Sequence, residues 1–139
     1  MRLRLLLSGL AILACSAAWS QDYTVVANDI GSTTLSRADL KLAFKPKNVF
    51  WSNRKPVMIV LPGNQSPIRD QVAKDMYGMS YIAMQKYWLS LVFQGRFNAP
   101  TSLNTDEEVV NFIRKNPGAI GFITDASVAP QNLIISIKD

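Results

Sequence analysis

The 139-residue sequence has no histidine and a single cysteine, Cys15, which sits in an apolar run near the N-terminus. Without histidine there is no Ser-His-Asp triad, no Cys-His pair and no imidazole general base. The same lack removes the usual Cys/His zinc sites. Carboxylates are also sparse. The one close group, Asp106-Glu107-Glu108, stands where a helix N-terminus is expected, and capping accounts for it. A small hydrolase would therefore have little to work with, and a non-catalytic protein with no metal and no cofactor is expected. Lys/Arg clusters with interleaved aromatics are missing too, so nucleic acid is not an expected partner. What remains is an ordinary globular balance, 48% apolar and 18% charged, enough for one domain with its own core.

The first twenty residues read as an export signal. Arg2 and Arg4 give a positive start, Leu5 to Ala14 is apolar, and Ser16, Ala17 and Ala18 are small. That order marks a secretory signal peptide, with cleavage expected after Ser20. The run is too short for an ordinary membrane-spanning helix. A lipoprotein signal with its anchor at Cys15 is the alternative. The expected division is thus a signal peptide over residues 1–20 and an exported domain over 21–139. Removing Arg2 and Arg4 leaves 13 basic against 10 acidic residues, a mild positive excess that suits an anionic ligand or partner.

Along the remaining chain, strands and helices alternate. Tyr23 to Ala27 is short and β-branched, and Asn28 to Thr34 is a polar loop. Ser36 is a candidate N-cap, with Leu35 and Leu40 at the hydrophobic-staple positions. Lys45-Pro46-Lys47 ends that helix. Pro56 to Leu61 is a near-continuous apolar strand, and Trp51 to Lys55 before it is a turn. Ser66-Pro67 predicts the next helix, with Ser66 as N-cap, Pro67 at the first helical position, a stripe of Ile68, Val72 and Met76, and Gly78 at the end. Ser80 opens a third helix with Tyr81, Met84, Trp88, Leu91 and Val92 on one face. Thr105 to Glu108 reads as a capping box for a fourth. Ala119 to Ile123 and Leu133 to Ile137 complete the strands. Trp51, Tyr87, Trp88 and Phe93 are expected to pack in the core. The pattern predicts an α/β fold with a mixed, mostly parallel sheet flanked by helices.

In such sheets ligands bind beyond the carboxyl ends of the strands. Leu61 to Arg69 runs from a buried strand through a glycine loop into a helix N-terminus, where free N–H groups and the helix dipole favour an anion. Arg69 falls in the first helical turn, where the dipole disfavours a cation. A bound oxyanion would offset that repulsion, and guanidinium bonds oxyanions bidentately. The candidate ligand-binding residues are Gln65 through its backbone, Ser66 and Arg69, with hydroxyls added by Ser32 and Thr33. The plainer alternative is a simple Ser-Pro helix start with Arg69 paired to Asp70.

The order of motifs resembles the phosphate-binding proteins of ABC transporters. Leu35 to Leu40 with Phe44, Trp51 and Lys55-Pro56-Val57 is similar to their "IF-G-K…W" stretch. Ser66-Pro67-Ile68-Arg69 falls at their Ser-Gly-Thr phosphate loop. Tyr87-Trp88 with Phe93-Gln94-Gly95 matches "YW…F-G", and Pro117 to Phe122 matches "P-G-A-I-G-Y". The likeness runs from about Val25 to Ile123 and is greatest to short, single-lobe, secreted members. It implies one lobe of a type II periplasmic binding protein, export to the periplasm, and inorganic phosphate or a similar oxyanion as ligand. Two departures stand out. Pro67 has no N–H and Ile68 no hydroxyl, so two donors of the family's phosphate loop are missing. The partner lobe is missing as well, and a homodimer or another protein would have to supply a second wall. The alternative function is a protein-interaction module that has lost its solute and docks on a membrane sensor or transport component. A solvent-facing apolar patch around Phe50, Trp51 and Phe97 would favour it.

Overall fold

The structure is a computed structural model that describes residues 23–47 and 49–139. The expected signal peptide and Cys15 lie outside the described residues. In chain order the elements are β1 (Thr24–Ala27), β2 (Thr34–Ser36), α1 (Arg37–Ala43), β3 (Met58–Pro62), α2 (Arg69–Tyr77), α3 (Tyr81–Phe93), β4 (Thr101–Leu103), α4 (Asp106–Lys115), β5 (Ala119–Ile123) and β6 (Ser136–Lys138). Two 3-10 turns, Ala126–Val128 and Gln131–Leu133, precede β6.

The main sheet has the order β1-β5-β3-β4. β3 is parallel to both β4 and β5, and β1 is antiparallel to β5. This is the mixed, mostly parallel α/β sheet that the alternation predicts. β2 and β6 form a separate parallel pair.

Period-two alternation divides the core. Val25, Ala27, Leu61, Ile120 and Phe122 point to one face and pack with α1, α2 and α3. Val26, Val60, Ala119 and Ile123 point to the other and pack with Val109, Val110 and Ile113 of α4. Gly121 lies in the centre of that second layer. A Cβ there would stand 3.3 Å from Val109 Cγ1, so glycine lets α4 lie close to the sheet.

The helices begin and end for local reasons. Ser36 Oγ accepts from the Asp39 N–H at 3.1 Å, and Ser80 Oγ from Ala83 N–H at 3.1 Å. Gly78, at φ 67°, closes α2 with its N–H on the Lys74 carbonyl. Thr105 Oγ1 caps α4 through the Glu108 N–H, but Glu108 reaches back to Asn104 N–H, one residue before the cap. Tyr77 ties α2 to α1 by donating to the Phe44 carbonyl at 2.6 Å, and burial pushes its phenol pKa up.

Some expectations are corrected. The expected strand over Leu133 to Ile137 starts as a 3-10 turn. Ile134 then bridges Val26, the Ile135 N–H donates to the Val25 carbonyl, and only Ser136–Lys138 pairs as a strand. β2 and β4 are three residues each, too short to leave a period-two signal. Trp51 is buried, with its indole N–H on the Gly118 carbonyl at 2.8 Å, and Trp88 is buried as well. Tyr87 is half-buried, while Phe93 points into solvent instead of the core.

Candidate functional site

The three parallel strands β3, β4 and β5 end on one edge of the sheet, at Pro62, Leu103 and Ile123. The loops that leave this edge are cross-linked. Gly63 N–H donates to the Leu103 carbonyl at 2.8 Å. A Cβ at Gly63 would run into the Asn104 side-chain oxygen, so glycine leaves that side chain room to reach the loop. That same oxygen accepts from the Gln65 N–H at 3.0 Å. Nearby, the Asp106 carboxylate accepts from Thr124 N–H, Thr124 Oγ1 and Asp125 N–H at 2.7–2.9 Å. Asp125 in turn accepts from the Ser127 hydroxyl and N–H, which hold its pKa below the usual carboxylate range.

Ser66 does not cap α2. Its N–H donates to the Gly63 carbonyl at 3.0 Å, and its Oγ accepts from Ile68 N–H at a long 3.4 Å. Ile68 turns its side chain into the core and takes φ −102°, ψ 4°, outside the helical region. The regular helix therefore starts at Arg69, two residues later than the Ser-Pro signal predicts. Burial of Ile68 outweighs the local preference. Ser66 is itself buried, with a hydroxyl proton still able to donate.

Arg69 folds back over its own loop. Its Nη1 donates to the Asn64 carbonyl at 2.9 Å and to Asn64 Oδ1 at 2.6 Å. The guanidinium carbon lies 4.7 Å above the Tyr81 ring, a cation–π contact. Asp70 is 3.7 Å from Nε. An acid beside it and an aromatic face below it ease the cation's position at the helix N-terminus.

Gln65, Ser66 and Arg69 are thus together at the carboxyl edge. Ser32 and Thr33 are not with them. β1 runs antiparallel to β5, with Ala27 opposite Ile120, so its following loop lies where β3 and β5 begin. Asp29 in that loop bonds Asn53 and ion-pairs with Lys55, just before β3. Ser32 Oγ is engaged with the carbonyl and N–H of Thr34, and the Thr33 carbonyl accepts from Ser136 N–H. The antiparallel direction of β1 is what puts the two loops at opposite ends.

The residues that sequence reasoning missed are Asn64, Asn104 and Tyr81. They position the loop and the guanidinium. Asn104 is 39 positions from Gln65, so no local pattern marks it. Among the described residues no group of three or more Cys, Asp or Glu could hold a metal ion, and no helix is long and apolar enough to cross a membrane.

No family model and no curated protein sequence matches the chain. Solved structures do. A crystal structure of an ABC-type phosphate transport receptor from Vibrio cholerae superposes with a TM-score of 0.60 at 17% identity, over 83% of this chain and 45% of that one. A possible phosphate binding protein from Planctomyces limnophilus DSM 3776 gives 0.57 at 17% identity, over 84% and 41%. The chain has the fold of a phosphate-binding-protein lobe. It spans less than half the length of either neighbour. Within this lobe the Gly63–Ile68 loop, the ends of β4 and β5, and the start of α2 form one continuous edge.

Proposed function

We propose that the chain is an exported, non-catalytic solute-binding lobe that seats phosphate or a similar oxyanion between β3 and α2. Arg69 carries this reading. A guanidinium held by Asn64 and Tyr81 stands in the first turn of α2, where the positive end of the helix dipole also favours a negative ligand. The Ser66 hydroxyl and the exposed Gln65 side chain supply further donors. The backbone N–H groups of Gln65 and Ser66 are already engaged by Asn104 and Gly63, so they serve to shape the loop. Ser32 and Thr33, at the opposite edge, are not part of this seat. The signal peptide over 1–20 would deliver the 21–139 domain to the periplasm. A second copy of the chain, or a membrane transport or sensor protein, would be its partner.

Thermal unfolding of residues 21–139 in phosphate, sulfate and chloride at matched ionic strength tests the reading. A ligand at 100 times its dissociation constant adds about 2.7 kcal/mol. The expected result is a phosphate-specific rise in Tm, lost in Ser66→Ala and in Arg69→Ala. An equal response to all three salts would refute it.

A further inference from the structure

The molecule has a second surface that the anion seat does not use. Ile82, Lys86, Leu89 and Phe93 follow at helical spacing and form a stripe along the outer side of α3. The apolar members stand in solvent: Ile82 is 64% exposed, Leu89 54% and Phe93 82%. Beside them lies a groove of about 500 Å³, floored by Leu61, Met84 and Trp88. A second groove, of about 520 Å³, leads to Lys45, Lys47 and Phe50, the last 62% exposed. The two grooves share Trp88, Ala99 and Pro100, so they form one face.

The charge on this face has one sign. No acidic residue lines either groove. None occurs over residues 40–69 or 76–105, the stretches of sequence that contain the groove-lining residues. Lys45, Lys47, Lys86 and Arg96 are exposed on these segments, and none of the four forms an ion pair among the described residues. A surface that only meets water ordinarily mixes both signs and scatters its apolar residues. Protruding apolar tips among unpaired cations suit an anionic bilayer, where the tips enter the headgroup layer and the cations meet lipid phosphates. Three of the four cations are lysines, which read charge but impose little geometry on a partner.

We propose that the face formed by α3, by Lys45, Lys47 and Phe50, and by the 96–100 segment docks on an anionic lipid membrane surface. The proposal stands apart from the oxyanion seat: the two share Tyr81, whose ring underlies Arg69 and lines the first groove, and none of the side chains changed in the test below belongs to the seat.

Residues 21–139 hold every described strand and helix and both core clusters, so this chain is suited to vesicle sedimentation. It is mixed with phosphatidylglycerol/phosphatidylcholine vesicles and with pure phosphatidylcholine. Binding is expected to the anionic vesicles alone. Lys47→Gln and Lys86→Gln should each weaken it about fivefold. The double change Leu89→Ser/Phe93→Ser should weaken it at least tenfold, with Tm retained because both side chains are exposed. Arg114→Gln/Lys115→Gln, on α4 across the sheet, should leave binding unchanged. Equal loss in the α4 pair would reduce the effect to net charge and overturn the proposal. So would equal binding to both vesicle types, no binding at all, or a dimer in ultracentrifugation that Phe93→Ser abolishes.

Discussion

Gly118 joins three separate stretches of backbone. Its N–H donates to the Asn28 carbonyl at 2.7 Å, and its carbonyl accepts from Met58 N–H at 3.1 Å and from the Trp51 indole at 2.8 Å. Its φ is +90°, and a Cβ would collide with the Pro56 carbonyl. Gly78 also has a positive φ, 67°, but nothing lies within 4 Å of its would-be Cβ. The two glycines separate backbone strain from collision. Gly78→Ala should destabilise by about 1 kcal/mol, the conformational term alone. Gly118→Ala adds the displacement of β3's leading segment and should exceed about 3 kcal/mol in total. Urea unfolding of both variants checks this, and equal losses would mean that the contact at Pro56 relaxes freely.

At the scale of elements, Ser80 and Ser66 look alike in sequence and differ in the fold. Each precedes a helix with an apolar stripe. Ser80 takes extended backbone angles and accepts from the N–H three residues on. Ser66 ends one tight turn, from Gly63, and begins another, to Arg69, and its bond to Ile68 N–H is long. Ser80→Ala should cost about 1 kcal/mol, the ordinary value of a cap, and Ser66→Ala about 0.5 kcal/mol or less. A cap-sized loss at Ser66 in denaturant unfolding would restore it to the role that its sequence suggests. The comparison also shows what a sequence conveys. Caps at Ser36, Ser80 and Thr105, the stop at Gly78 and the alternating faces of β5 are legible because each depends on residues within one or two turns. The loop at the head of α2 is decided by Ile68 entering the core and by Asn104 reaching Gln65, and neither is local. The separation of Ser32 and Thr33 from Ser66 has the same origin. It follows from β1 running antiparallel, a direction that a five-residue apolar run does not encode.

For the whole molecule, the exposure of Arg69 sets the strength of the proposed seat. The chain spans 45% of the Vibrio cholerae receptor and 41% of the Planctomyces limnophilus protein. On this lobe Arg69 keeps about a third of its side chain in solvent. An anion 4 Å from such a cation gains about 1 kcal/mol at the dielectric of water and about 4 kcal/mol at the lower value typical near a protein surface. A dissociation constant of 1 mM corresponds to about −4.1 kcal/mol. On the proposed function, this attraction limits the affinity of the described seat for phosphate to about the millimolar range. Because the pair is wet, screening should also matter. Raising ionic strength from about 0.01 M to 0.15 M shortens the Debye length from about 30 Å to 8 Å and should weaken binding several-fold. Calorimetric titration at the two ionic strengths reads both quantities. Micromolar affinity that is indifferent to salt would require a second wall around the ligand. Sedimentation with and without phosphate would then show whether that wall is another copy of the chain, since only self-association raises the mass of the purified protein.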